Sequence, residues 1–319
     1  MIENIKVSVF LVVFNEEKYI RQALDSILSQ KTDFAFEIIC HDDASSDGTQ
    51  SIILEYSKKY NNIKPILQNE NQCQKGVNIT LEFMYKHAKG KYIAYCDGDD
   101  YWTDPYKLQK QYDFLEKHQE YVMCLHNFSY LIESEKNAIV ASKCGKKEKD
   151  LSSEEMIMWS SRIPQIGTAL FRKTIAMNRP ILYQKIGGSS SSKRAISDHP
   201  LYIYMSFVGK VHYFPNVMSI WRQRITGSWG SETNTSKTIF FYYDLLDFFG
   251  KLDEDTHFKY RKTISKKTNQ LKFSIAYLQK DYRKAFALSM GIKIPLKSRI
   301  VCFIGCFSGK LANKIRNVK

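Results

Sequence analysis

The sequence lacks the features that mark several protein classes. Its seven cysteines are odd in number and scattered, and no Cys/His spacing typical of a zinc site occurs. This pattern argues against a disulfide-stabilised secreted protein and favours reduced thiols in a cytoplasmic one. The apolar runs at 7–14 and 300–307 are far shorter than the roughly 20 residues that cross a bilayer, so we expect no transmembrane helix.

Three signatures are also missing. Neither the glycine-rich dinucleotide fingerprint nor the P-loop pattern is present, so nothing indicates NAD or ATP held by a Gly-rich turn. The amino terminus has neither a positive region nor a small-residue cleavage site, and we therefore expect no secretory signal.

The net charge of +14 is concentrated at one end of the chain. Residues 251–319 carry 17 Lys and Arg against 4 Asp and Glu, whereas the first 250 residues carry 30 basic and 29 acidic residues. A near-neutral body with a basic tail indicates an anionic surface as partner and argues against nucleic acid. From 293 to 319, basic and apolar residues alternate at helical spacing. This segment is expected either to lie on an anionic inner leaflet or to dock its apolar side on the body.

Strand and helix patterns alternate through the first 130 residues, which predicts an α/β fold with a mostly parallel central sheet flanked by helices. The predicted strands are 5–13, 36–40, 63–68, 92–96 and 121–131, and the predicted helices are 18–28, 49–60, 79–88 and 105–117. The charged residues 133–150 are expected to form a mobile excursion. We predict a domain at 1–230, with a donor half at about 1–130 and an acceptor half at about 150–230, followed by a helical basic region at 231–319.

Two acidic clusters stand where such a sheet exposes its ligand side. Asp42, Asp43 and Asp47 follow one strand, and Asp97, Asp99 and Asp100 follow another. The first cluster could simply cap the next helix. The second could be a solvated turn, but an EF-hand loop is excluded by Leu108 at the glutamate position. Carboxylates crowded together repel one another unless a cation lies between them, and their hard oxygens suit Mg²⁺ or Mn²⁺.

With Asn15-Glu16-Glu17-Lys18-Tyr19-Ile20, these clusters resemble the motifs of family 2 glycosyltransferases, which have a GT-A type nucleotide-sugar-binding domain. The resemblance covers about 7–130 closely and about 165–228 more loosely. It implies that the nucleoside, usually uridine, is held by Asp43 and by the backbone and side chains near Phe10 and Asn15. It also implies that Asp97 lies near the ribose and that Asp99 coordinates the divalent metal. Phe10 and Val13 depart from the small, polar or proline residues that the family often has there.

The resemblance further implies a carboxylate base for an acceptor hydroxyl. Asp198, in Ser197-Asp198-His199-Pro200, matches that position, although it could equally be a helix N-cap, and His199 is an alternative base. Thr168 is the polar candidate on the acceptor side. Arg222 and Arg224 precede residues 226–229, which look like a loop that closes over the donor, and either arginine could contact the diphosphate or be a surface charge.

The leading hypothesis is an inverting, metal-dependent transferase that moves a single sugar from a nucleotide-diphosphate donor, expected to be a UDP-sugar. The acceptor would be a saccharide, with a lipid-linked saccharide of surface polysaccharide assembly as a candidate. The enzyme would be cytoplasmic and, through its tail, a candidate for peripheral membrane association. The alternatives are a nucleotidyltransferase acting on sugar phosphates and a non-catalytic protein that binds anionic surfaces. The acidic Asn15-Glu16-Glu17 segment stands against the nucleotidyltransferase, which would need a basic Gly-rich loop there.

Overall fold

The computed structural model describes residues 4–133, 138–142, 144–158, 163–187, 195–196, 198–224 and 235–316. They form two compact units. One comprises Met1–Lys185 with Ser197–Glu232, and the other comprises Ile186–Ile196 with Thr233–Lys319. The sequence-based boundary near residue 230 placed the short strand pair within 186–196 in the first domain, whereas its contacts group it with the helical unit.

The first unit is built around one mixed sheet. Its strands are β1 (Ile5–Val13), β2 (Ala35–Asp42), β3 (Ile63–Leu67), β4 (Tyr92–Asp97), β5 (Tyr101–Trp102), β6 (Tyr121–Ile132), β7 (Ala138–Ala141), β8 (Lys149–Asp150), β9 (Leu170–Arg172) and β12 (Lys210–Gln223). Strands β10 (Ile186–Gly187) and β11 (Ala195–Ile196) form a separate antiparallel pair. The order across the large sheet is β3-β2-β1-β4-β9-β6-β12-β5, with β7 beside β6 and β8 beside β12.

Helices and short helical turns connect the strands. The helices of the first unit are α1 (Ile20–Leu28), α2 (Thr49–Lys59), α3 (Lys107–Lys117), α4 (Ser153–Met158), α5 (Lys173–Met177) and α6 (Asp198–Val208). Short 3₁₀ turns lie at Cys73–Lys75, Ile166–Thr168 and Ile181–Tyr183. The helical unit contains α7 (Thr235–Asp255), α8 (Arg261–Leu278), α9 (Tyr282–Ser289), α10 (Leu296–Gly305) and α11 (Gly309–Arg316).

Apolar periodicity explains the first half of the sheet. Strand β1 is buried along most of its length, as expected for a parallel strand that helices cover on both faces. Helix α1 buries Ile20, Ala23, Leu24 and Ile27, spaced three and four residues apart, so a single apolar stripe packs on the sheet. Strands β3, β2, β1 and β4 run parallel, which confirms the predicted α/β architecture and brings their carboxyl ends to one edge.

The predicted helix at 79–88 forms only in its first part, where Thr80–Met84 is a π-helix, and the remaining residues form a turn and loop. Two backbone N–H groups further along the chain donate to side chains of neighbouring strands. The amide of Lys89 donates to the buried carboxylate of Glu37 at 2.6 Å, and the amide of Gly90 donates to the Ser8 hydroxyl at 2.9 Å. These bonds join the segment to strands β1 and β2 and prevent the helical ladder from continuing.

Two further parts of the sheet were not anticipated. The charged segment expected to be a mobile excursion contributes β7 and β8, which pair antiparallel with β6 and β12. Strand β12 was missed because Pro215 and Asn216 interrupt its apolar pattern, and its register with β6 shifts between Phe214 and Val217. Long-range pairing, which no local pattern reveals, therefore completes the sheet.

The helical unit has its own small core of buried side chains from α8 to α11: Phe273, Ala276, Tyr282, Ala285, Ile292, Val301, Cys302 and Ala312. Asp281 caps α9 by accepting a bond from the Lys284 amide at 3.1 Å. Within the described ranges, no helix is both long and apolar enough to cross a membrane.

One charged side chain lies in the core of the first unit. Lys107 is completely buried at the start of α3, where its ammonium lies 4.1 Å from the Trp102 ring centroid and donates to the Gln111 amide oxygen at 2.9 Å. Burial lowers the pKa of Lys107 to about 7, against the small opposing effects of Cys124, Cys96 and Asp104. Lys107 therefore binds a proton much more weakly in the folded chain than in the unfolded chain.

We expect Lys107→Met to alter the pH dependence of stability. Between pH 7 and 10 the unfolded lysine is protonated while the folded one is neutral, so the free energy of unfolding rises with pH by up to about 1.4 kcal/mol per unit from this residue. Methionine removes that contribution. Urea unfolding at several pH values should show a flatter profile for the variant, and identical slopes in both proteins would contradict the buried, neutral lysine.

Candidate functional site

The carboxyl ends of β1, β2 and β4 bring three polar segments together at one edge of the sheet. Asn15 and Glu16 follow β1, Asp43 follows β2, and the acidic loop 97–100 follows β4. Two backbone bonds fix their spacing, from the Asp43 amide to the Val13 carbonyl and from the Gly98 amide to the Val12 carbonyl, both at 3.0 Å. Gly98 fits tightly here because a Cβ would lie 3.1 Å from the side chains of Glu16 and Val13.

The segment after β2 is a dense hydrogen-bond network. Asn15, with a positive φ of 56°, accepts a bond from the Ser46 amide at 2.8 Å and donates its own amide to the Ser45 hydroxyl at 2.8 Å. Asp43 accepts bonds from the amides of Gln72 and Cys73 at 2.8 and 2.9 Å. Asn15 and Asp43 therefore fix the conformation of the loops, and their assignment to nucleoside binding stays a prediction.

The loop after β4 gathers its carboxyl groups in a largely buried place. Burial, followed by the charges of Asp99 and Asp198, raises the pKa of Asp97 to about 7. Burial also raises the pKa of Asp99, and that of Asp100 lies well above its ordinary value. The ionised form of these carboxyl groups is unfavourable unless a positive charge lies beside them. A divalent cation would supply that charge.

Glu16 belongs to this cluster, although the sequence analysis did not single it out. Its carboxylate is almost fully buried, and burial together with Asp99 raises its pKa to about 7. The available signal was its position in the loop after β1, one residue beyond Asn15, at the sheet edge where β4 also ends. Parallel pairing of β1 with β4 is what makes these positions neighbours.

Arg224 supplies the main counter-charge. Its guanidinium donates to both carboxylate oxygens of Glu16, at 2.7 and 3.1 Å, and lies 3.0 Å from Oδ2 of Asp99. Buried bidentate pairs of this kind are strong and fix both partners. The structure thus places Arg224 directly on the residue predicted to bind the metal.

Arg222, two residues earlier on β12, holds the backbone of the same loop. Its amide donates to Oδ1 of Asp100 at 2.8 Å, its Nε donates to the Asp99 carbonyl at 2.9 Å, and its Nη2 donates to Gln22 at 2.8 Å. The guanidinium also lies 4.5 Å from the Tyr19 ring centroid. These contacts make Arg222 a positioning residue for the acidic loop in this state of the chain.

Asp198, the predicted base, is the first residue of α6 and accepts a bond from the His199 amide at 2.9 Å. It is partly buried, and burial raises its pKa. Its charge contributes to the raised pKa of Asp97, which places the two carboxyl groups in the same electrostatic environment. The ring of His199 is buried, with Nε2 3.0 Å from the Met156 carbonyl, as expected for a structural histidine.

Two other predicted residues lie in the core. The side chain of Phe10 is fully buried in edge-to-face contact with Tyr85 and Tyr95, so a nucleoside contact at this position would come from the backbone or from neighbours. Thr168 is also buried, and its hydroxyl donates to the Gln165 carbonyl at 2.6 Å. Residues 226–229, the expected closing loop, lie outside the described residues.

The donor set around Asp99 suits a hard divalent cation. The nearby groups are carboxylates, the ligands that Mg²⁺ and Mn²⁺ prefer, and they already attract the guanidinium of Arg224. Among the residues that the structure describes, no three His, Cys, Asp or Glu side chains form a ready-made cage. Cations such as Mg²⁺ are commonly held by one or two carboxylates together with substrate phosphates, and the cluster fits that mode.

Comparison with known proteins identifies related chains. The model of a family described as Glycosyl transferase family 2 matches residues 8–176. An uncharacterized protein of Mycobacterium tuberculosis is 30% identical over 227 residues, which cover 70% of this chain and 60% of that protein. The chain therefore spans about 60% of the length of this curated relative.

Two solved structures share the fold. The Staphylococcus aureus TarS fragment 1–349, in complex with UDP-GlcNAc, has a TM-score of 0.56 and 17% identity, with 98% of this chain and 90% of that chain covered. A mannosyltransferase of Pyrobaculum calidifontis, in complex with GDP-Man and Mn²⁺, has a TM-score of 0.56 and 16% identity, with coverages of 98% and 82%. At these identities the likeness concerns the fold.

We expect Arg222→Ala to lower the free energy of unfolding by about 2–4 kcal/mol, because it leaves the Asp99 carbonyl and the Gln22 side-chain oxygen without their donor and removes a positive charge from a largely buried acidic loop. Arg21→Ala is the matched control, since Arg21 forms a bidentate pair with Glu55 at the surface, and this variant should lose much less stability. Urea unfolding of both variants measures the difference, and equal losses would contradict the positioning role.

Proposed function

Because the chain belongs to glycosyl transferase family 2, we propose that it transfers a single sugar from a nucleotide-diphosphate sugar to a saccharide acceptor, with inversion at the anomeric carbon. A UDP-sugar is the first donor to test. The observation that supports the proposal is the carboxylate cluster of Glu16, Asp97 and Asp99 at the carboxyl edge of the sheet. Asp198 lies close enough to raise the pKa of Asp97. Clefts outside the carboxyl ends of the strands are where open α/β sheets bind ligands.

Each residue of the cluster has a distinct role in this proposal. Asp99, with the donor phosphates, would hold Mn²⁺ or Mg²⁺, and the bound cation would offset the charge that develops on the leaving diphosphate. Asp97 would lie near the ribose. Asn15 and Asp43 would contribute to the nucleoside site through the loops that they fix. The acidic surroundings of Glu16 disfavour a nucleotidyltransferase, which must bind a triphosphate there.

Asp198 would serve as the general base. In the reaction, the acceptor oxygen forms a bond to the anomeric carbon, the bond to the diphosphate oxygen breaks, and the hydroxyl proton passes to the carboxylate. Burial raises the pKa of Asp198, which makes it a better proton acceptor than an exposed aspartate. Thr168 lies close enough to Tyr202, a residue of α6, to influence the pKa of that tyrosine. In this proposal Thr168 would shape the acceptor side.

The first test is calorimetric titration with UDP, GDP, CDP and ADP, each with and without Mn²⁺. Metal-dependent preference for one diphosphate would support the proposal and identify the nucleotide of the donor. If none of the four binds, the transferase proposal fails and a non-catalytic surface-binding protein becomes the better hypothesis.

The aspartates separate binding from chemistry. We expect Asp99→Asn to abolish metal-dependent binding of the nucleoside diphosphate, because it removes the anionic ligand. Asp198→Asn should leave that binding within about twofold while reducing transfer by 10²-fold or more, the usual contribution of a general base. Calorimetry and a product assay on both variants measure this, and equal loss of diphosphate binding would show that the roles are wrongly assigned.

Arg224 should compete with the metal before the donor arrives and contact the diphosphate afterwards. We therefore expect Arg224→Gln to strengthen the binding of Mn²⁺ alone and to weaken the binding of the Mn²⁺–diphosphate complex, each by a factor of roughly three to ten. Electron paramagnetic resonance of free Mn²⁺ measures the first effect and calorimetry measures the second. Lys18→Gln, at an exposed lysine of the same unit, is the control and should change neither.

A further inference from the structure

Helix α10 is apolar on two opposite sides. Its inner residues Val301 and Cys302 are completely buried in the core of the helical unit. Its outer side is different from that of an ordinary surface helix, whose solvent face is polar. Leu296, Ile300 and Phe303 point outward and are exposed.

Phe307, in the turn after α10, extends the exposed side. With 3.6 residues per turn, positions 296, 300, 303 and 307 fall within a sector of about 60°, and we call these four side chains the apolar stripe. Leu296 is 71% exposed and Phe307 is 80% exposed, and the rings of Phe303 and Phe307 lie 5.4 Å apart. The apolar stripe is therefore continuous and open to solvent.

The contacts of α10 prevent it from turning to bury the apolar stripe. Gly305 lies so close to Tyr282 that a Cβ would approach the ring carbon Cγ to 2.3 Å. At the other end, Arg299 donates to the carbonyls of Ser289 and Ile292 at 2.9 and 3.3 Å. The inner side of α10 thus packs within the helical unit, and its outer side stays exposed.

The chain segment that carries the apolar stripe is strongly basic. Residues 256–319 contain 16 Lys and Arg and a single acidic residue, Asp281, whose carboxylate caps α9. Lys293 and Lys297 are exposed and stand immediately before and within the first turn of α10. An apolar strip bordered by lysines is the arrangement that binds the surface of an anionic bilayer.

We propose that α10 and the turn after it form a membrane-docking face. The apolar stripe enters the boundary between headgroups and acyl chains, and Lys293 and Lys297 contact anionic headgroups. Charge selects this partner, because two copies of so basic a surface repel each other and a nucleic acid would leave the apolar stripe in water. The inference is independent of the donor chemistry. In the proposed function, it would hold the enzyme at the surface where lipid-linked acceptors reside.

The test is flotation of the full chain with vesicles of phosphatidylglycerol and phosphatidylcholine in equal parts, compared with phosphatidylcholine alone. We expect binding to the mixed vesicles and a fall of roughly tenfold or more in the partition coefficient for the double variant Leu296→Ser, Phe307→Ser, because it removes two large apolar side chains from the contact. Ile181→Ser is the matched control, since Ile181 is 84% exposed in the other unit, and it should bind as the unchanged chain does.

The electrostatic part has its own variant. Lys293→Gln with Lys297→Gln should reduce binding to the mixed vesicles by about tenfold, whereas Lys58→Gln with Lys59→Gln, an equal charge change at exposed positions on α2, should have little effect. Circular dichroism of every variant verifies the fold, and diphosphate titration of the unchanged chain separates failure of this inference from failure of the proposed function.

Two results would overturn the membrane-docking face. One is unchanged flotation of the Leu296→Ser, Phe307→Ser variant. The other is a chain that ignores vesicles but forms a dimer which this variant dissociates, because the apolar stripe would then be an interface between copies.

Discussion

The guanidinium groups of Arg222 and Arg224 supply positive charge to a largely buried acidic loop. The Arg222 guanidinium donates to the Asp99 carbonyl, its backbone amide donates to the Asp100 side chain, and Arg224 forms ion pairs with Glu16 and Asp99. Both arginines extend from the end of β12, so the correct pairing of β12 with β6 is a condition for an intact acidic cluster. The sheet and the site are coupled through this charge compensation.

The two acidic segments behave differently although their compositions are alike. The carboxylates after β2 accept bonds from nearby backbone amides, as Asp43 does from Gln72 and Cys73, and they act as loop-forming groups. The carboxyl groups after β4 are buried and face one another, which raises their pKa values even though the Arg224 guanidinium acts in the opposite direction on Asp99. The first arrangement stabilises the loops that frame the site. The second brings together carboxyl groups whose ionised form a bound cation would stabilise.

The helical unit follows a separate physical logic. Its core is small, and α10 contributes to that core with one side only, while the apolar stripe remains at the surface. In a globular protein such a stripe is unfavourable in water and attracts a partner. The segment that carries it has an excess of lysine and arginine, and we therefore proposed an anionic lipid surface as its partner.

The sequence by itself determined the alternating first half of the fold and the position of the acidic loops. Local periodicity predicted β1, α1, α2, β4 and α3 closely, because each helix buries one regular apolar face against the sheet and both strands are continuous apolar runs. Only the tertiary structure decided the rest. β12 is interrupted by Pro215, the role of Glu16 depends on the pairing of β1 with β4, and Arg224 meets Asp99 from more than 120 positions away along the chain. These features arise from long-range pairing and shared burial, and a local pattern of residues carries no information about either.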